Sequence, residues 1–272
     1  MCNLYYTASK EYNISPENIF TVISSGVKIQ ADKVDKKNWL LNLADSFKLK
    51  IKDPARVVDV VDVADEARLS HIGIVPESRR YTTFLIDIGS GNTKGGYFPN
   101  GNTKTLKLFQ LSWGTKSITN EAEKRCDDDN SISNYNTQLS RVIAGPANSE
   151  IAYAVNESGA YNMSDYVAFS GGIAWSVATL LFPELNDNSV VPVTYDDVFK
   201  FNELIYRNPD LFSAQMQAKL ISDNNPDKAS ILSEISRVNK VFDQKALMAG
   251  TSLLLKIMRQ FAGVYEKSNF IW

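Results

Sequence analysis

Residues Phe84-Leu-Ile-Asp-Ile-Gly-Ser-Gly-Asn-Thr-Lys-Gly-Gly-Tyr-Phe98 hold an apolar run, one aspartate and four glycines in fifteen positions. The span from Thr82 to Gly89 reads as a buried strand. Lys94 to Phe98 and Thr103 to Leu111 continue as strands, separated by the turn Pro99-Asn-Gly-Asn102. An antiparallel meander is therefore expected, entered through a glycine-rich turn. Gly89 and Gly91 let that turn tighten and approach a ligand closely, while Ser90, Asn92 and Thr93 offer side-chain donors. Consecutive backbone N–H groups in such a turn form a concavity suited to an anion. Asp87, at the strand end, is placed to orient a water or a hydrated magnesium ion on a phosphate, because magnesium keeps several waters and takes few protein carboxylates. The same residues also fit an ordinary glycine-rich hairpin in which Asp87 caps the turn.

Upstream, Ile19 to Ile23 is strand-like and Lys37 to Leu49 is amphipathic at helical spacing. Arg56 to Val61 is rich in β-branched residues, and Asp65 to Ile72 is made of good helix formers. Strand and helix thus alternate ahead of the glycine turn. Downstream, Thr115 to Arg125 reads as a helix and Asp127 to Asn134 as a polar loop. The acidic triplet Asp127-Asp-Asp129 fits either a solvated loop or a cation site. Tyr166 to Gly172 is a strand closing on the pair Gly171-Gly172, and Ile173 to Phe182 is an apolar helix. That pair suits either close approach of an anion to a helix N-terminus or tight helix–strand packing. From Thr194 to Gly263 the pattern is mostly helical, with Thr194 as an N-cap and Pro209 and Pro226 at helix starts or breaks. The last residues, Phe270-Ile-Trp272, are too few to assign.

A chain of 272 residues is long for one core and suits two lobes. The division is expected near Tyr81, giving 1–81 and 82–272. A net charge of −2 disfavours long-range attraction to a nucleic-acid polymer, so any phosphate binding has to be local. No apolar run of about eighteen residues points to membrane insertion. Cys2 and Cys126 make no disulfide framework, and a single histidine, His71, excludes a multi-histidine metal centre. The N-terminus lacks the pattern of a signal peptide, which with Met1 as the natural start implies the cytoplasm. The glycine spacing matches neither the Gly-Lys-Ser/Thr phosphate loop nor the dinucleotide fingerprint. Asp65-Glu66 suits a capping acid on a surface helix or, with a bound phosphate nearby, a general base.

In their order along the chain these segments resemble the exopolyphosphatase and guanosine pentaphosphate phosphohydrolase (Ppx/GppA) family. That family belongs to the acetate kinase, sugar kinase, Hsp70 and actin superfamily. Asn18 to Lys28 is similar to a strand and small-residue turn ahead of a basic phosphate contact, so Lys28 stands where the family has arginine. Val63-Ala-Asp-Glu-Ala-Arg-Leu69 is similar to the Glu-Glu-Ala-Arg-Leu helix, which places the catalytic base on Glu66. Asp87 to Lys94, starting twenty-one residues after Glu66, resembles the second phosphate loop. Leu111 to Thr119, Val167 to Ala174 and Asp243 to Leu254 resemble later segments in the right order.

The resemblance implies a two-lobed α/β fold, ribonuclease H-like and of the actin-like ATPase superfamily. Its first lobe is expected to be incomplete, because no Asp-Ile-Gly-Ser segment precedes Thr82. Its second lobe should carry a mixed sheet and a helical C-terminal region. It further implies hydrolysis of phosphoanhydride bonds in polyphosphate or a guanosine polyphosphate lying in the cleft between lobes. Glu66 is then the base, and Lys28, Gly89, Ser90, Gly91, Asn92, Thr93, Gly171 and Gly172 surround phosphate. Asp87 places Mg2+ through water. A homodimer is compatible with it. Lys94 departs from the pattern, since the family's loop ends in an acid that helps the metal. That departure raises a second expectation, a binding or scaffold protein without hydrolysis, and the form of the turn raises a third, an ATP-binding relative of actin or the sugar kinases.

Overall fold

A computed structural model describes residues 1–33, 37–159, 165–265 and 268–271. The chain divides into two compact units, Met1–Glu66 and Ala67–Trp272.

In the first unit, helix α1 (Cys2–Tyr6) is followed by strand β1 (Val22–Ile23), helices α2 (Ser25–Lys33) and α3 (Lys37–Ile51), and strand β2 (Asp59–Val60). β1 and β2 pair in parallel, Val22 opposite Asp59 and Ile23 opposite Val60. Both strands are shorter than their β-branched runs suggest. Arg56 explains part of this, because its Nη1 donates to the carbonyls of Pro16 and Ile19 at 2.7 and 2.8 Å, anchoring the chain just ahead of β1. The core of the unit is small. Tyr5, Phe47 and Ile51 are buried together, with the Tyr5 and Phe47 rings edge to face at 6.0 Å.

Helix α4 (Val63–Ile74) starts at Asp62, whose Oδ1 accepts the N–H of Asp65 at 2.8 Å. It carries Glu66 in its first turn and His71, in the second unit, in its last.

The second unit is built on a six-stranded sheet. Strands β3 (Thr83–Ile88), β4 (Thr93–Tyr97) and β5 (Lys107–Leu111) form the expected antiparallel meander. Helices α5 (Thr115–Lys124), α6 (Ile132–Ala144) and α7 (Pro146–Ser158) lead to strand β6 (Tyr166–Ser170), which pairs in parallel with β3. Helix α8 (Gly172–Leu181) and strand β7 (Val191–Pro192) follow, then α9 (Tyr195–Arg207), α10 (Ala214–Leu220), α11 (Lys228–Val241) and α12 (Gln244–Tyr265). Strand β8 (Ser268–Ile271) closes the sheet by lying between β6 and β7, giving the order β5-β4-β3-β6-β8-β7. The sheet is mixed, with β3, β6 and β8 parallel.

β3 reads as a continuous apolar run because both of its faces are covered. Phe84, Ile86 and Ile88 join the main helical core, and Leu85 meets Val75 and Ala168 on the other side. α12, 22 residues long, contributes Leu253, Leu254, Ile257, Met258 and Phe261 to that core. Thr194 caps α9 as expected: its Oγ1 accepts the N–H of Asp197 at 3.2 Å, and Asp197 Oδ2 accepts the N–H of Thr194 at 3.0 Å. The polar loop expected over Asp127–Asn134 ends earlier. Ser131 Oγ accepts the N–H of Asn134 at 3.2 Å and starts α6, so three of the supposed loop residues are helical. Asp129 accepts the N–H of Ser131 at 2.9 Å, which makes part of the acidic triplet a turn former. Among the described residues no helix is long and apolar enough to cross a membrane.

Candidate functional site

The glycine turn stands at the end of β3, held by bonds from behind. Gly89 N–H donates to the carbonyl of Asn92 at 3.0 Å and closes the turn. The carbonyl of Gly89 accepts from Thr115 N–H at 3.0 Å, and that of Ser90 accepts from Lys116 and Ser117 N–H at 2.7 and 3.2 Å. These three donors belong to the first turn of α5, where N–H groups have no partner within their own helix. The turn therefore occupies that helix terminus with its carbonyls. A Cβ on Gly114 would lie 2.6 Å from both Asn92 N and Gly89 O, so only glycine lets the two segments come this close. Ser117 Oγ accepts the N–H of Gly114 at 2.7 Å and completes the joint.

On the other side of the turn, the N–H groups of Ser90 and Gly91 donate no hydrogen bond among the described residues. Ser90 is exposed and Gly91 half-buried, so both can serve a ligand. Asn92 and Thr93 are buried. The Thr93 hydroxyl donates to the carbonyl of Trp113 at 2.7 Å, which commits its proton to the fold and leaves it no donor for phosphate.

Asp87 is the register partner of Lys94 on β4 and of Ser170 on β6, so the three side chains stand on one face of the sheet. Lys94 Nζ lies 2.9 Å from Asp87 Oδ2, with side-chain exposures of 6% and 18%. A lysine is seldom buried this deeply without such a partner. Ser170 is also buried, and its Oγ has no hydrogen-bond partner among the described residues. Gly171 follows with φ +91°. A side chain there would meet Asp87 Oδ1 and the Ile88 carbonyl at 2.5 Å. Gly172 instead faces the ring of Phe242, 3.0 Å from where its Cβ would stand, so this glycine serves packing between α8 and the end of α11.

The second unit thus gathers Asp87, the turn Gly89–Thr93, Lys94 and Gly171. Lys28 and Glu66 lie in the first unit. Glu66 Oε2 accepts the N–H of Ser25 at 2.7 Å, which places a carboxylate at the start of α2, and Lys28 sits in that helix with its N–H bonded to Ser24 O at 3.2 Å. Two contributors escaped the sequence reading. Gly114 gave a signal, a glycine directly before a helix start, and the Asp87–Lys94 pair was encoded by cross-strand register.

The donor set around Asp87 does not suit magnesium. Its Oδ2 is already paired with an ammonium group, and among the described residues no three histidine, cysteine, aspartate or glutamate side chains cluster as metal ligands do. A hard divalent cation needs several oxygens and no adjacent positive charge.

No family model and no curated protein matches the chain. Solved structures do. A Ppx/GppA phosphatase of Aquifex aeolicus, its type II variant, superposes with a TM-score of 0.55 at 17% identity, over 99% of this chain and 75% of that one. An exopolyphosphatase-like protein gives 0.58 at 13%, over 98% and 76%. An exopolyphosphatase from Cytophaga hutchinsonii gives 0.55 at 12%, over 99% and 75%. The chain therefore has the α/β fold of these Ppx/GppA structures. At these identities the likeness is one of fold, and activity has to be argued from the site.

Proposed function

We propose that this chain is a Ppx/GppA-type protein that binds and hydrolyses phosphoanhydrides, with polyphosphate or a guanosine polyphosphate as its substrate class. The observation that carries the reading is the glycine turn. Its carbonyls are consumed by α5, while the N–H groups of Ser90 and Gly91 are left for a ligand beside a buried lysine. A turn pinned in this way presents donors already oriented, so little is lost in ordering them when an anion arrives.

In this reading Ser90, Gly91 and the Gly89–Asn92 turn hold the terminal phosphoryl group. Lys28 offsets phosphate charge and Glu66 takes the proton of the attacking water. The last two assignments rest on the order of the segments along the chain. Phosphoryl transfer asks mainly for positioning and charge stabilisation, which a site without a covalent nucleophile can supply. A second reading, binding without hydrolysis, is favoured by one observation: the Glu66 carboxylate already accepts a hydrogen bond from Ser25 N–H.

Phosphate release from polyphosphate and from guanosine pentaphosphate, followed with the purified chain, separates the two. Turnover should fall about 100 to 10,000-fold in Glu66→Gln. Equal turnover in that variant removes Glu66 as the base. Binding without release selects the second reading, and absence of both overturns the proposal.

A further inference from the structure

We propose that the ammonium group of Lys94 takes the place of a divalent cation at Asp87, so that the glycine turn receives a phosphoryl anion without a metal. This deepens the phosphoanhydride reading and rests on it for the identity of the anion. Its geometric basis is independent of that reading.

Asp87 stands at the end of the central strand, next to the turn whose Ser90 and Gly91 N–H groups are unclaimed among the described residues. One carboxylate oxygen meets Lys94 Nζ at 2.9 Å, and the other lies against the Cα of Gly171, where a Cβ would come within 2.5 Å. One oxygen is thus paired and the other lies close to the Gly171 backbone, with the side chain 18% exposed. Lys94 reaches forward as well as sideways: its Nζ is 3.9 Å from the position of a Cβ on Gly89, at the root of the turn. An ammonium group fixed there, at 6% side-chain exposure, offsets the aspartate's negative charge as a metal would, so that an anion can meet the turn's N–H groups without repulsion from the carboxylate. Cross-strand register makes this placement permanent. Asp87 and Lys94 are opposite each other on β3 and β4, so no change of loop conformation is needed to bring them together. Ser170, beside Asp87 on β6 with its buried Oγ unpartnered among the described residues, is a further polar group on the same face.

Manganese provides the test, because a paramagnetic ion broadens the amide signals of nearby residues. In the wild-type chain, Mn2+ added up to about millimolar concentration, where weak carboxylate sites fill, should leave the signals of Gly89, Ser90 and Gly91 sharp. Broadening of these signals overturns the proposal. In Lys94→Glu, which restores two carboxylates, the same addition should broaden them. If Lys94→Glu folds and shows no broadening, Lys94 is not what excludes the ion and the proposal fails. If that variant does not fold, the wild-type result still decides. Tripolyphosphate in EDTA should shift the same amides of the wild type. A shift that appears only with excess magnesium also overturns the role given to Lys94. No shift under either condition removes the phosphoanhydride reading, and the manganese result then decides the lysine's role by itself.

Discussion

His71, the only histidine of the chain, is fully buried in α4. Its Nε2 lies 3.0 Å from the carbonyl of Thr83, so Nε2 carries the proton, and Nδ1 has no hydrogen-bond partner among the described residues. The ring packs edge to face on Phe98, with centroids 4.7 Å apart. Burial pushes the imidazole pKa below its ordinary value, against the opposing hydrogen bond to Thr83. The folded state therefore holds His71 neutral, while the unfolded chain binds a proton near pH 6.5. Above that pH both states are neutral and the fold keeps its full stability. As pH falls from there toward the lowered folded value, the unfolded state gains protons first and stability drops by up to about 1.4 kcal/mol per pH unit. Denaturant unfolding at pH 7.5 and pH 5 should show this loss in the wild type, and His71→Phe should show a smaller one. An unchanged slope in that variant would place the titration elsewhere.

Between α5 and the glycine turn, the joint depends on Gly114, whose backbone is extended at φ −140° and so could be adopted by any residue. What excludes a side chain is space, with Asn92 N and Gly89 O both 2.6 Å from a Cβ. Gly114→Ala should destabilise the chain by about 1 to 3 kcal/mol and weaken phosphate binding by moving the turn. Gly73→Ala is the control, since nothing among the described residues lies within 4 Å of a Cβ in that exposed helical position, and a gain of up to about 1 kcal/mol is expected. Chemical denaturation with a tripolyphosphate titration reads both. Equal stability in Gly114→Ala and the wild type would refute the joint. The same contrast shows what was legible in the sequence. β3 and α4 could be read because a continuous apolar run and helix formers act locally, and β4 because it follows the glycine turn. α6 and α7 passed unread because their buried faces, Tyr135, Leu139, Val142 and Ile151, are interleaved with polar residues that resemble loop. β8 was too short to assign and is fixed by pairing with β6 and β7. At the site, the turn was legible from its glycines. The commitment of Thr93 to Trp113 and the Asp87–Lys94 pair arise from tertiary bonds that spacing does not report.

Across the whole molecule, the two units differ in how much apolar surface each buries within itself. The second has one extended core under its six-stranded sheet, from Phe84 on β3 to Phe261 on α12. The first relies on Tyr5, Phe47 and Ile51 and on a ladder of two residues per strand. Two-stranded sheets are marginal by themselves. Around this ladder Phe20, Val22, Val57 and Val60 are 88%, 51%, 67% and 42% exposed. Local stability follows buried apolar contact, so the first unit should open more readily. Amide exchange in β1, β2 and α3 should be at least about tenfold faster than in β3 and α12, an opening difference of ~1.4 kcal/mol or more. Hydrogen–deuterium exchange followed by mass spectrometry resolves these segments. Saturating tripolyphosphate should slow exchange in the glycine turn and the start of α5, because an anion held by Ser90 and Gly91 stiffens the turn that α5 supports. Equal protection of the two units in the free chain would show that the small core of the first is sufficient and that burial alone does not set its stability.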